Sequence, residues 1–538
     1  MPAMACNCGL TLAELLSDWP PEKLPELDSV IARLSLKSRD LREQINARTP
    51  FLSLPAEIIS EISIMACEPV YEASDPDNFI KSRQLTTPLM LGKICRLWRH
   101  IVLDSPRLWN VIFLELRSKP EVYKTQLELL ESWLSRSGDL LLSIHLNELE
   151  GESAGWVESP PVEVFDLLAG YSHRWLHVST FLIGPCWEGL EKLPLPSLTT
   201  LAVRPPGNAD WATALTEAIW RISCAPSLRN AYFVMFDKVG MELPMHQLTQ
   251  ITMKSCIWQD CLSLLASAPN VEHCTLLDLR SDFGDDHHAV IALPYLSSLT
   301  AGSWQMGALL LGRVLGCIMT PALSRMQVIW GANLNPFPGI VTLLSRSSCS
   351  LRELSLNVTH FWKSEQALIA TLAYMESLEK LELNCKWGGT FEPVFYHLNP
   401  ARPQYTPQYL PPGRVVLPNL RCFRYRGPMS FEVHHLIKMI DMRYRMSIDR
   451  EKNLQLEPVR REGNHDRIAR PESFNIEISK MKRGRCYTTL CDYADTLERL
   501  MEEHDGITFS FLDEMDDNIS LRSLMDTDVE SLGEVFVT

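Results

Sequence analysis

From Leu198 to Leu420 the chain returns nine times to one spacing of apolar residues, and few folds accommodate such a pattern. Segments with apolar side chains at positions 0, 3 and 5 start at Leu198, Leu228, Leu248, Val271, Leu296, Leu323, Leu351, Leu378 and Leu420. The clearest copies read SLTTLAV, CSLRELSLNV and ESLEKLELNC. Alternation with period two predicts a short strand with one buried face. Intervals of 30, 20, 23, 25, 27, 28, 27 and 42 residues predict a stacked array of similar units. Six starts carry a proline two residues earlier, at Pro196, Pro226, Pro269, Pro294, Pro321 and Pro418. Proline fixes φ and withholds a donor, which predicts an extended lead-in to each strand. Helical spacing fills the intervals, for example Trp211, Leu215, Ile219 and Ile222, or Leu368, Leu372 and Met375 with Ser364 as a cap.

Pattern and period resemble the leucine-rich repeat. The resemblance implies one strand and one helix per repeat, stacked into an arc with parallel strands on the concave side. The Asn or Cys expected at position 8 occurs only at Cys256, so the solenoid is expected to be irregular. Position 4 offers one outward residue per repeat: Ala202, Tyr232, Thr252, Thr275, Thr300, Gln327, Ser355, Glu382 and Arg424. Of these, Tyr232, Thr252, Thr275, Gln327, Glu382 and Arg424 are the candidates for contacting a substrate. Val111 to Leu116, Leu140 to Leu146 and Trp175 to Thr180 read as earlier strands. Seven prolines with Tyr396, Tyr405 and Tyr409 crowd 393–418, either a recognition loop or an ordinary insertion. Phe431 to Met446 reads as a helix. A charge-mixed linker is expected over 448–472, and a strand, helix, strand closing unit over 473–512. The tail, 513–538, holds eight acidic residues against Arg522 and reads as solvated, with Ser520, Ser523, Thr527 and Ser531 able to accept phosphate.

Ahead of the repeats, residues 51–110 read as a helical module. Pro55 suits a first turn, with Ile58, Ile62 and Met65 at helical spacing after it. Leu91, Ile94, Cys95, Trp98, Ile101 and Val102 predict one continuous helix with an apolar face, and Lys93, Arg96, Arg99 and His100 predict its basic face. Ser105 and Pro106 are expected to cap and open a further turn carrying Leu108 and Trp109. A unit this small cannot cover all its apolar surface. Trp98 and Trp109 above all are expected to stay partly uncovered. Within 1–50, Leu27, Ile31, Leu34, Leu41 and Ile45 follow a heptad-like seam, with Ser38 in the skipped place. Such a helix either pairs with another chain or packs back on its own module.

Leu54-Pro55-x-Glu57-Ile58, then Ile94-Cys95-x-x-Trp98-x-x-Ile101 and Pro106-x-Leu108-Trp109, resemble the F-box, especially its large fungal expansion. The resemblance covers about an eighth of the chain, and the stretch from Glu68 to Thr87 makes the module longer than a compact F-box. It implies docking on a Skp-type adaptor and, through it, a cullin ubiquitin ligase, while the repeats (111–447) hold an unknown protein substrate. Carried over by position, the adaptor-facing residues are Leu54, Pro55, Ile58, Ile62, Ile94, Trp98, Leu108 and Trp109. The fold class expected is mixed α/β: a small all-α module followed by a repeat solenoid. The alternative is a repeat scaffold with no ligase role.

A formal charge of -15 argues against nucleic acid or an anionic membrane as main partner. Fifteen cysteines with no C-x-x-C pair read as reduced thiols of a cytoplasmic or nuclear protein. The opening MPAMACNCGL lacks the features of a signal peptide. Phosphate-cradle, dinucleotide, serine-hydrolase and zincin strings do not occur, so neither enzyme chemistry nor a cofactor is expected. The one cluster suggestive of metal, Asp282-Phe-Gly-Asp285-Asp286-His287-His288, lies where a polar loop is expected.

Overall fold

The structure is a computed structural model. It describes residues 24–50, 54–68, 86–116, 120–148, 161–181, 186, 193–204, 220–222, 224–235, 241–280, 289–303, 308–330, 336–358, 365–385, 392–401, 415–429, 431–454, 468–481, 492–504, 506–513 and 518–519. Two compact units emerge. The first comprises Met1–Ser74, Ser82–Val111 and Ser132–Leu140, and the second comprises Asp75–Lys81, Ile112–Glu131 and Leu141–Thr538.

The first unit holds α1 (Leu24–Ala47), α2 (Ala56–Ala66), the one-turn α3 (Pro88–Leu91), α4 (Arg96–Leu103), a 3-10 turn (Pro106–Leu108) and the last turns of α5 (Pro120–Arg136). The continuous helix expected from Leu91 is broken. Gly92 follows α3, Cys95 is fully extended at φ −156 and ψ 178, and Arg99 Nε donates to the Gly92 carbonyl at 2.9 Å. Gly92 itself keeps right-handed angles, and the break falls at extended Cys95, after which α4 begins. Ile94 therefore leaves the apolar seam and is 58% exposed. Ser105 does not cap the next turn either. Its hydroxyl donates back to the Ile101 carbonyl at 2.6 Å and lies 3.0 Å from the Ser60 hydroxyl.

The second unit is built on one sheet of fifteen strands whose neighbours follow chain order. They are β1 (Val111–Leu116), β2 (Leu142–Glu148), β3 (Trp175–Phe181), β4 (Thr200–Arg204), β5 (Asn230–Val234), β6 (Gln250–Lys254), β7 (His273–Leu277), β8 (Ser298–Ser303), β9 (Arg325–Trp330), β10 (Glu353–Val358), β11 (Lys380–Cys385), β12 (Cys422–Gly427), β13 (Ser473–Met481), β14 (Ile507–Asp513) and β15 (Asn518–Ile519). From β2 to β14 every pairing is parallel, and only β15 turns back antiparallel. Position-4 residues sit opposite one another across the ladder, from Ala202 through Tyr232, Thr252, Thr275, Thr300, Gln327, Ser355 and Glu382 to Arg424. The row runs on to Asn475 and Thr508, and back to Ser179 and His145. The strands expected within the closing unit over 473–512 thus pair onto the same sheet.

Positions 3 and 5 are buried throughout, as at Leu354 and Leu356 or Leu381 and Leu383. The sheet's buried face belongs with a layer of helices: α6 (Val162–Ala169), α7 (Trp258–Ala266), α8 (Ala308–Cys317), α9 (Phe337–Ser347), α10 (Glu365–Leu372), α11 (Glu392–Leu398), α12 (Val433–Leu454) and α13 (Ala494–Glu503). From α7 to α12 each helix packs on the next in chain order. The approach of α8 and α9 requires glycine, because a Cβ on Gly339 would lie 2.6 Å from the Gly312 Cα.

The recurring proline has a role different from the extended lead-in. At all six starts the position-0 N–H donates to the carbonyl three residues earlier: Leu198 to Leu195, Leu228 to Ala225, Val271 to Ala268, Leu296 to Leu293, Leu323 to Thr320 and Leu420 to Leu417. Proline is thus the second residue of a tight turn, where its fixed φ is already correct and its missing donor is not needed. Beyond β5, β6 and β7 the chain leaves through left-handed residues, Met235, Ser255 and Asp278, each N–H donating to a carbonyl at the end of the next strand. At these three exits backbone N–H groups tie each turn to the next strand. Cys256, the lone position-8 residue of the expected type, adds its thiol against the Phe233 and Lys254 carbonyls.

Two expectations fail locally. The helix expected to end at Ile222 instead shows Trp220–Arg221 as a short strand parallel to Met241–Glu242, held by the Ile222 N–H on the Glu242 carbonyl. The expected linker begins inside α12, which runs on to Leu454. Trp211, Leu215, Ile219, Ser364, Tyr405, Tyr409, the Asp282 to His288 cluster and the tail from 520 onward lie outside the described residues. No helix among the described residues is long and apolar enough to cross a membrane.

Candidate functional site

Two surfaces can meet a partner, one on each unit. On the first, α2 carries two apolar stripes. Ile59, Ser63 and Cys67 recur every four residues and are buried, the Ser63 hydroxyl returning to the Ile59 carbonyl at 2.7 Å. Ile58, Ile62 and Met65 form a second stripe that looks outward, with Ile58 and Met65 exposed and Ile62 half-buried. Leu89 and Met90 on α3, Ile94 before α4 and Leu97 on α4 are exposed as well. Leu54 is half-buried and Pro55 exposed, the proline carbonyl accepting from the N–H groups of Ile58 and Ile59 to start α2. Arg107 joins this surface to α2 through Glu61 at 2.5 Å, an exposed pair that adds little stability.

Trp98, Leu108 and Trp109 are interior residues, contrary to the expectation that the tryptophans stay partly uncovered. Trp109 is 1% exposed, donates its indole N–H to the Val102 carbonyl at 2.8 Å, and meets the Trp133 ring edge-on at 4.7 Å. Arg136 covers its face at 5.3 Å. The late turns of α5 supply this lid, and the short-range pattern around Trp109 contains no trace of them. Of the eight positions carried over by resemblance, Leu54, Pro55, Ile58, Ile62 and Ile94 retain access to solvent. Met65, Leu89, Met90 and Leu97 join them. Met65 was legible as part of the second α2 stripe, whereas Leu97 falls between the apolar and basic positions of α4.

On the second unit, the sheet face opposite the core is polar. Charges of opposite sign meet across neighbouring strands: Lys380 and Glu353 at 3.8 Å, Arg424 and Glu382 at 3.6 Å, Arg426 and Glu477 at 2.6 Å. Asn384 bridges the Asn357 side chain at 2.7 Å and Glu382 at 3.3 Å. A shallow depression of about 230 Å³ lies over β8 to β11, lined by Thr300, Arg325, Gln327, Glu353, Ser355 and Lys380 among others. Further along, Tyr232 accepts from Gln250 at 3.1 Å, whereas Ala202 and Thr252, expected to face outward, are buried. Burial pulls the His177 imidazole below its ordinary value, and Ser143 lies 3.2 Å from its Nδ1. The face suits a polar, charge-patterned protein surface better than an apolar ligand.

Among the described residues, one group has metal-ligand character: Glu432, His434 and His435, with ligand atoms within 4.8 Å of one another. His434 Nδ1 and a Glu432 carboxylate oxygen already meet at 2.9 Å at the start of α12. The buried cysteines are not poised for chemistry. Burial pushes Cys274 and Cys385 up to about 12 and Cys67 up to about 11, so each is a neutral thiol at neutral pH. A thiol reagent applied to native protein is expected to modify exposed Cys224 and spare Cys274 and Cys385 until denaturant is added. Mass mapping of the labelled peptides checks this, and rapid native labelling of Cys274 would contradict the packing.

In comparisons with known proteins, no family model and no curated sequence matches this chain.

Proposed function

We propose that this chain is the substrate-recognition subunit, an F-box protein, of a Skp–cullin–F-box type ubiquitin ligase. The first unit would dock on the Skp-type adaptor, and the second, read as a leucine-rich-repeat solenoid, would hold a protein substrate on its polar sheet face. The reading rests on motif order in the first unit together with one observation, the outward apolar stripe Ile58, Ile62 and Met65 on a helix whose other side is already buried. A second uncovered stripe costs solubility unless something covers it. The contribution to rate would be proximity, a substrate lysine held near a charged conjugating enzyme.

Mixing purified chain with a Skp-type adaptor is expected to give a stable complex in size-exclusion chromatography. Ile58→Asp with Met65→Asp should weaken it tenfold or more, as losing central apolar contacts does at interfaces. Unchanged thermal unfolding would show that these exposed positions are not core. Wild-type chain that fails to bind the adaptor sinks the ligase reading.

A repeat scaffold with no ligase role is favoured by a different observation. Trp98, Leu108 and Trp109, three of the residues the F-box resemblance assigns to the adaptor, are spent on the unit's own interior.

A further inference from the structure

Apart from half-buried Leu27, the heptad seam of α1 does not pack back on its module. Ile31 is 51% exposed, Leu34 62%, Leu41 51% and Ile45 66%, over a helix of 24 residues. With Leu27, Leu34 and Leu41 at d, the a positions are Ile31, Ser38 and Ile45. A lone helix with such a seam is marginal in water, and its complement is a second helix.

We propose that α1 pairs with α1 of a second copy of this chain, as an antiparallel two-stranded coiled coil whose two-fold axis passes near Leu36. This does not rest on adaptor binding. The charges flanking the seam select both occupant and direction. In a parallel pair, Lys37 at g would face Arg42 at e of the partner, a repulsion made twice by symmetry. In the antiparallel pair, Asp28 and Arg42, both at e, face each other across the seam, an attraction made twice. One like-charge meeting remains, Lys37 with its own copy near the axis. The layers also fit better. Leu27 pairs with Ile45 and Ile31 with Leu41, while Ser38 lies against Leu34 rather than against another serine in a half-empty polar layer. Val30 at g, 39% exposed, adds an apolar flank.

Sedimentation equilibrium on the full chain tests this. The expected result is a monomer–dimer equilibrium with a dissociation constant on the order of 10 μM. Leu34→Asp with Leu41→Asp should leave only monomer, with the thermal transition of the remaining chain unchanged. Arg42→Asp alone should weaken the dimer several-fold, by facing Asp28 with another aspartate. Asp28→Arg combined with Arg42→Asp should restore it. A wild-type chain monomeric at 100 μM (roughly ten times the expected constant) overturns the proposal, as does a dimer that survives the double aspartate substitution. A dimer strengthened by Arg42→Asp, which would give Lys37 a partner, overturns the antiparallel arrangement.

Discussion

Replacing Arg443 by methionine is expected to destabilise the second unit by about 3 kcal/mol, the cost of stranding buried carbonyls net of the relief from burying a cation. Arg443 is fully buried on α12 and has no carboxylate partner among its hydrogen bonds. Its guanidinium donates instead to the carbonyls of Leu398 at 2.9 Å, Leu417 at 3.0 Å and Val416 at 2.7 Å. Those acceptors lie on either side of residues 399–415, at the end of α11 and in the turn into β12. Leu417 is itself left-handed at φ 53, a conformation uncommon for any residue other than glycine. Burial pulls the guanidinium down to about 10, which leaves it protonated at neutral pH. Lysine at this position keeps the charge but lacks the planar fork, so Arg443→Lys should recover only part of the loss. Urea unfolding gives the free energies, and limited proteolysis should show earlier cutting within 399–415 in the methionine variant. Two chains unfolding at the same urea concentration would mean that Arg443 does not hold the ends of that interval.

Trp109→Ala is expected to cost the first unit about 3 to 5 kcal/mol, the usual penalty for emptying a large aromatic site in a packed interior. The removed ring is 1% exposed, contacts Trp133 and carries the hydrogen bond to Val102. Trp109→Phe should restore most of the packing and lose the polar contact alone. Denaturant unfolding followed by helical circular dichroism measures both. The contrast with Ile58→Asp carries the inference: the tryptophan should change stability, and the isoleucine should change binding. If Trp109→Ala left stability untouched while abolishing adaptor capture, the assignment of inside and outside in this unit would be reversed.

The repeat register was legible in the sequence down to single residues. Position 4 was inferred from alternation alone, and the same residues, Tyr232 through Arg424, face one another in the ladder. The reason is local and repeated. A parallel strand whose positions 3 and 5 are buried has one register that keeps them so, and each neighbour imposes it again. The six prolines were legible as markers of a boundary but not as turn residues, because an extended lead-in and a tight turn both accept proline's φ.

In the first unit the periodicity of α2 and α4 was legible, but the facing was not. Ile58 and Ile59 stand side by side, and nothing within α2 decides which stripe goes in; the answer comes from helices brought to it through space. Trp109 is likewise covered by Trp133 and Arg136, which arrive from the end of α5. By itself, then, the amino-acid sequence determined the period, the strand ladder and the existence of surplus apolar surface, since these follow from neighbours a few residues apart. Only the tertiary structure decided that the tryptophans are core, that Ile58, Met65 and Ile94 are surface, and that Arg443 ties the Leu398 carbonyl to those of Val416 and Leu417, because burial depends on what folds over a residue from far along the chain.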